Sequence, residues 1–348
     1  MSIFDRVVKL FWNHDEKRLR ALWRLGLHTG ILFILTTAAT TGLMLFAVII
    51  DLVSGANIQD VLAGTEPMQI MEVPWVGTVI IPLATFLGVL LTTFLIGKWV
   101  DRRKFKQFGI VFTPTWWGDL AFGLLLGAFL MTVIFLIGLL TGAVQITGYF
   151  EPYLQDANFL SGFIQALILF IFVGIYEELL SRGYHLINLA EGLSGKFLGK
   201  RGGLIFAFLI SSLVFGVLHL GNPNATLFST LNISLAGIFL GLGMVMTGSL
   251  AIPIGLHITW NLFQGNVFGF PVSGIQTGAT IIATETVGME WLVGGPFGPE
   301  SGVISLLAMV LGLLLTLLWL KRKGPLSMYT ELAAYKPDTD VEKPRVNE

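Results

Sequence analysis

The stretch YEELLSRGYH, Tyr176 to His185, follows SGFIQALILFIFVGI, fifteen residues without a formal charge. Two adjacent glutamates and an arginine then appear among apolar residues. In the middle of a membrane each such charge costs about 2.5–3.5 kcal/mol, so three unpaired ones would cost roughly 8–10 kcal/mol. Glu178 and Arg182 are four residues apart and stack on one helical face, with the acid on the favourable N-terminal side. Glu177 is rotated about 100° from them and has no partner in its own helix. A purely structural ion pair accounts for Glu178 and Arg182 and leaves Glu177 unexplained. Two later stretches repeat the pattern of polar groups in apolar surroundings. FGVLH puts Phe215 and His219 on one helical face, and HITWN does the same for His257 and Asn261.

These residue types suit hydrolysis. Cleaving a peptide bond needs a base to activate water, a proton donor for the leaving amine, and donors for the developing oxyanion. A carboxylate pair, an arginine, two histidines and an asparagine from three helices supply all of these. Taken singly, a membrane histidine or an HxxxN pair has a bland reading as an interhelical hydrogen bond. The conjunction carries the argument, because the chain has only five histidines. His14 and His28 lie near the N-terminus, and His185 lies three residues past Arg182. No Ser/His/Asp set, paired aspartates or HExxH is present, and the absence of cysteine removes thiolate and disulfide chemistry.

The elements that must position these groups are membrane helices. The 348 residues are 54% hydrophobic and 12% charged, against about 25% charged in soluble domains. Net charge is −1, which gives no field directed at nucleic acid. The apolar runs predict an all-α polytopic bundle of eight spans: 27–53, 75–97, 116–143, 159–190, 203–220, 226–247, 250–270 and 303–320. Of 21 lysines and arginines, 20 fall in the leader, the 2–3 and 4–5 connections and the tail, all on one side of an eight-span chain. The loops 54–74, 144–158 and 271–302 contain none, so both termini are expected in the cytoplasm. Arg182 is the exception.

Residues 1–26 read as a cytoplasmic, amphipathic lead-in with Phe4, Leu10, Phe11 and Trp12 on its apolar side, not as a cleavable signal peptide. Residues 27–158 form the N-terminal helices, 159–270 the core that carries the motifs, 271–323 an external loop and the last span, and 324–348 a polar tail expected to be mobile. The basic cluster after span four starts only at Lys196, which puts Glu177 well inside the membrane, in the half nearer the basic side. Gly123/Gly127 and Gly237/Gly241 are small-xxx-small pairs for close helix packing. GNPNAT after His219 reads as a turn between spans five and six.

At EELLSR, FGVLH and HITWN the sequence resembles the CPBP intramembrane proteases, also called the Abi or type II CAAX prenyl endopeptidase-like family. Its motifs EExxxR, FxxxH and HxxxN/D are all matched, in order, within about residues 159–265. The resemblance implies an eight-span membrane endopeptidase. It implies that Glu177 and His219 activate water, that His257 and Asn261 stabilise the oxyanion, and that Glu178 and Arg182 form the supporting ion pair. No cofactor is expected. Members have also been described as metalloproteases, so the alternative is a Zn²⁺ site of His219, His257 and Glu177 or Glu178 with an open fourth position. The implied substrate is a membrane-associated protein or peptide, prenylated in the CAAX case, and the implied location is the bilayer of a bacterial plasma membrane. The competing classes are a non-catalytic bacteriocin-immunity or scaffold protein and a transporter. Transport lacks support from any inverted repeat or paired broken helices.

The charge pattern makes a topological prediction. Reporters fused after Gly64 and Gly288 should read external, and those after Gln107 and Lys323 cytoplasmic. An external reading at Gln107 would break the eight-span arrangement.

Overall fold

The computed structural model describes residues 8–55, 75–153 and 158–335. Phe4, most of the 54–74 loop, the Gly64 fusion point and the end of the tail lie outside them. Nine helices carry the architecture: α1 (Ala21–Val53), α2 (Ile81–Trp99), α3 (Pro114–Leu140), α4 (Phe159–Glu178), α5 (Leu186–Leu193), α6 (Gly199–Leu218), α7 (Leu227–Thr247), α8 (Ala251–Leu262) and α9 (Val303–Lys321). Their starts are written in the sequence. Thr113 caps α3 by accepting from Trp116 N, with Pro114 at the first helical position. Asn158 caps α4 through Ser161 N. Thr226 and Ser229 form a reciprocal cap on α7.

Among the described residues, seven stretches are long and apolar enough to cross a membrane: Ala21–Ile50, Val76–Trp99, Pro114–Leu140, Phe159–Leu193, Gly199–Gly221, Leu227–Thr247 and Val303–Lys321. The protein is a multi-pass integral membrane protein. The remaining expected span, 250–270, takes a different form. It is the 12-residue α8 followed by a five-residue π-helical turn, Phe263–Val267. That falls short of the roughly 20 residues a bilayer demands. Every residue of α8 is buried, so its neighbours are helices, not lipid.

Close backbone approach seats α8. A Cβ on Gly123 would lie 2.5 Å from Ile252 O, one on Gly127 2.5 Å from Leu256 O, and one on Gly255 2.3 Å from Leu120 O. The first small-xxx-small pair is therefore the groove of α3 into which α8 fits. The second pair packs α7 on α6, with Gly237 against Ser212 and Gly241 against Phe208. On the other flank Gly174 of α4 meets Ile258.

The two ends of the bundle differ. At one end the leader, the 2–3 connection, α5 and the tail converge on Glu191. Its carboxylate takes Arg18, Arg24 (2.6 Å) and Arg103 (2.5 Å). Asp101 pairs with Arg24 at 3.2 Å and accepts from Tyr184 at 2.8 Å. These basic groups are buried rather than solvated. The leader, the 2–3 connection and the tail thus meet beside α5. Leu10 and Phe11 of the leader are exposed, as a lead-in on an interface demands. Trp12, however, sits in a two-residue hairpin strand, β1 (Trp12–Asn13) with β2 (Arg18–Leu19). The tail also differs from expectation up to residue 335: Tyr329 N bonds Val245 O, Leu332 and Ala333 are buried, and the Tyr335 ring lies 3.3 Å from the Arg18 guanidinium.

At the other end, the two expected loops pair as an antiparallel ribbon. Strand β3 (Val144–Pro152) runs from Val144↔Thr286 to Pro152↔Ala279 against β4 (Ala279–Thr286), with a bulge at Ile146/Gly148. The buried amide of Asn266 donates to Thr277 O and Ala279 O, and Tyr153 donates to Gly265 O. The ribbon is thereby fastened to the end of α8.

Glu191→Ala should destabilise the protein by about 3–5 kcal/mol, because it removes the carboxylate that three buried guanidinium groups share. Thermal unfolding in detergent checks this; an unchanged midpoint would show that the network does not hold the leader, the 2–3 connection and the tail together.

Candidate active site

Glu177 and Glu178 end α4, and the chain then turns through a π-helical stretch, Leu179–His185, before α5 resumes. π-Helical turns widen a helix and recur at functional sites. Arg182 lies within this stretch. Its Nη1 donates to Glu178 Oε1 at 2.8 Å and its Nη2 to Gly237 O of α7 at 3.0 Å. Glu178 and Arg182 are both almost completely buried. The expected i,i+4 pair is formed.

Phe215 of α6 lies beneath the same guanidinium, 4.3 Å from its ring centroid. A desolvated cation–π contact of this kind is worth about 2 kcal/mol. Helical spacing puts Phe215 on one face with His219 without assigning it a task, and its pairing with Arg182 is invisible locally because the partners lie in different segments.

His257, on α8, closes the arrangement. Its Nδ1 donates to Glu178 Oε1 at 2.9 Å, the oxygen that also accepts from Arg182. Its Nε2 then faces Glu177 Oε2 at 3.9 Å, too far for a direct hydrogen bond. Glu177 Oε2 is buried and has no hydrogen-bond partner within the described protein. His219 ends α6, and its Nδ1 lies 2.7 Å from Phe215 O. A carbonyl only accepts, so Nδ1 carries a proton, and in the neutral ring Nε2 keeps its lone pair.

Glu177, His219, His257 and Asn261 line one cavity of about 510 Å³. The structure therefore brings together the residues that were expected to act and puts Glu178 and Arg182 behind them. His185 does not join them: it lies against His28 and near Thr29 of α1. No member of the Glu191 network lines the cavity. Its far wall comes instead from the 271–302 loop, through Ser273 and Glu300, so the cavity runs toward the end opposite the basic network.

Glu300 is a site residue that the sequence reading missed. It sits in the 3₁₀ turn Pro299–Ser301, and its Oε2 accepts from Ser273 N at 2.6 Å and Ser273 Oγ at 2.8 Å. Asn222, just after His219, donates to Ser273 O at 3.2 Å. Burial pushes the Glu300 carboxyl above the ordinary carboxylate range, against the Ser273 hydrogen bonds and the nearby His219, which pull it down. No local pattern in GGPFGPES singles this glutamate out.

A zinc site would need His219, His257 and a glutamate to converge on one point. Among the described residues, no three histidine, aspartate or glutamate side chains are gathered closely enough to hold a metal ion. His257 commits Nδ1 to Glu178, so only its Nε2 could reach a metal.

Residues 159–263 match the family model described as type II CAAX prenyl endopeptidase Rce1-like. This is the family that the three motifs resemble, and the matched segment contains all of them, from Glu177 to Asn261. The helices before it and the loop and span after it lie outside the match. Neither a curated protein nor a solved structure matched the chain.

Proposed function

We propose that the protein is an intramembrane endopeptidase that hydrolyses a peptide bond in a membrane-associated protein or peptide. The observation that carries the reading is Glu177: a carboxylate whose buried Oε2 has no hydrogen-bond partner among the described residues, lining a cavity shared with His219. A water held between these two groups can lose a proton to them and attack a substrate carbonyl carbon. The carbonyl oxygen becomes the oxyanion. Asn261 lines the cavity and offers its amide N–H groups to it. His257 offers Nε2–H from a ring protonated at both nitrogens, and two carboxylates, one guanidinium and that ring sum to no net charge. Collapse of the tetrahedral intermediate breaks the C–N bond, and the proton taken from water goes to the leaving amine.

Glu178, Arg182 and Phe215 act one step back. They fix the orientation of His257, in the way a carboxylate behind a catalytic imidazole fixes its ring. The apolar cavity walls, among them Phe170, Val173, Leu240 and Met309, suit a substrate already in the bilayer. A prenylated CAAX-type protein is one such substrate, and the family match supports it. We further propose that no metal takes part, because among the described residues His219, His257 and a glutamate do not gather at one point.

Glu177→Gln keeps the size and removes the base, so turnover should fall by about 10²–10⁴. Cleavage of a verified membrane peptide, compared with wild type at equal folded protein, checks this, and full activity in the variant would remove Glu177 as the base. Elemental analysis and chelation of the active protein should show activity retained without stoichiometric metal. One zinc per chain, with activity lost on its removal and restored by its return, would reassign His219, His257 and a glutamate as ligands.

A further inference from the structure

The three motifs line part of the cavity, and Glu300 lines it too. It is 95% buried, being 5% exposed, and it still lines the cavity. Ser273 saturates Oε2 through two hydrogen bonds. Among the described residues no lysine or arginine forms an ion pair with it. The whole 271–302 stretch contains neither. The titratable side chains that share the cavity with it are Tyr176, Glu177, His219 and His257. His257 is already bonded to Glu178, and His219 is bound through Nδ1 to Phe215 O. Around Glu300 the walls include Val272, Ile275, Ile233 and Met309. A carboxylate in such a wall is costly unless something positive meets it.

We propose that Glu300 is a specificity determinant that receives a primary ammonium group of the substrate, either a lysine side chain or a chain N-terminus, within the cavity. This deepens the endopeptidase reading and rests on it for the identity of the site. A substrate segment that carries the ammonium supplies the missing charge. One that is apolar there leaves the carboxylate buried without compensation, and one that is acidic there meets repulsion. The loop is shaped to hold the carboxylate in place. Gly298, next to Pro299, has φ +102, and a Cβ there would lie 2.0 Å from Pro271 O. Ser301 Oγ bonds Gly294 O. A carboxylate that served only to anchor the loop through Ser273 would work equally well as an amide, and this separates the two roles.

Binding, not cleavage, is the measurement. The full-length protein in detergent micelles is titrated with fluorescent peptides of one apolar sequence, blocked at both ends, with lysine, norleucine or glutamate at a single central position. A fourth peptide has norleucine and a free N-terminus. The lysine or the free-amine peptide should bind roughly 30-fold or more tightly than blocked norleucine, the usual scale for a desolvated charge pair. Which of the two is favoured identifies the source of the ammonium. Glu300→Gln should bring all four within a few-fold of one another, while Glu177→Gln should keep the preference. Equal binding of cationic and norleucine peptides by wild type, a preference that survives Glu300→Gln, or no binding of either cationic peptide would overturn the proposal. The wild-type comparison stands even if Glu300→Gln fails to fold. Selective binding without cleavage would instead count against the endopeptidase reading and leave the role of Glu300 intact.

Discussion

One oxygen atom, Glu178 Oε1, ties the three polar motifs together. It accepts from Arg182 on its own chain segment and from His257 on α8, while Arg182 reaches on to α7 and rests on Phe215 of α6. Four segments distant in sequence are thus fixed around one carboxylate. In a low-dielectric interior such a junction is strong when every member is satisfied and costly when one is lost. The division of labour follows from helix geometry. Residues one apart differ by about 100°, so one glutamate can be locked into the junction while its neighbour faces the cavity.

The short α8 follows from the same constraint. To bring His257 onto Glu178, the helix must run through the middle of the bundle, where backbones touch and side chains have little room. Gly123, Gly127 and Gly255 supply that closeness. A helix surrounded by protein need not match the bilayer thickness, because its polar ends are met by protein groups. Here the ribbon β3–β4 and the loop fastened by Gln264 and Asn266 close the far end. The site therefore has a rigid helical side and a loop side, and Glu300 belongs to the latter.

Much of the site was legible because it is local. Glu178/Arg182, Phe215/His219 and His257/Asn261 are each i,i+4 pairs, and polar residues in apolar runs are conspicuous. Helix count was less so. Hydropathy reports an apolar run but not whether lipid or protein surrounds it, so 250–270 read as another span. Arg18, Arg24 and Arg103 were legible as basic residues flanking the spans, but their burial on Glu191 depends on partners 88 to 173 residues away. No window of sequence holds that information. The strands are a different matter: VQITGYFEP and ATIIATET are rich in β-branched and aromatic residues, a signal that was present. Glu300 had none, since its meaning comes from the cavity it faces.

A double-mutant cycle on the junction tests the account most directly. Glu178→Gln, Arg182→Met and the double variant are unfolded in the same detergent, and their stabilities are compared with wild type. Arg182→Met alone should cost about 3–5 kcal/mol, since it leaves Glu178 charged and buried. The double variant should be more stable than the sum of the single losses predicts, by at least about 1 kcal/mol. Losses that add to within about 0.5 kcal/mol would show two independent groups, and the junction on which the site's geometry is built here would not exist.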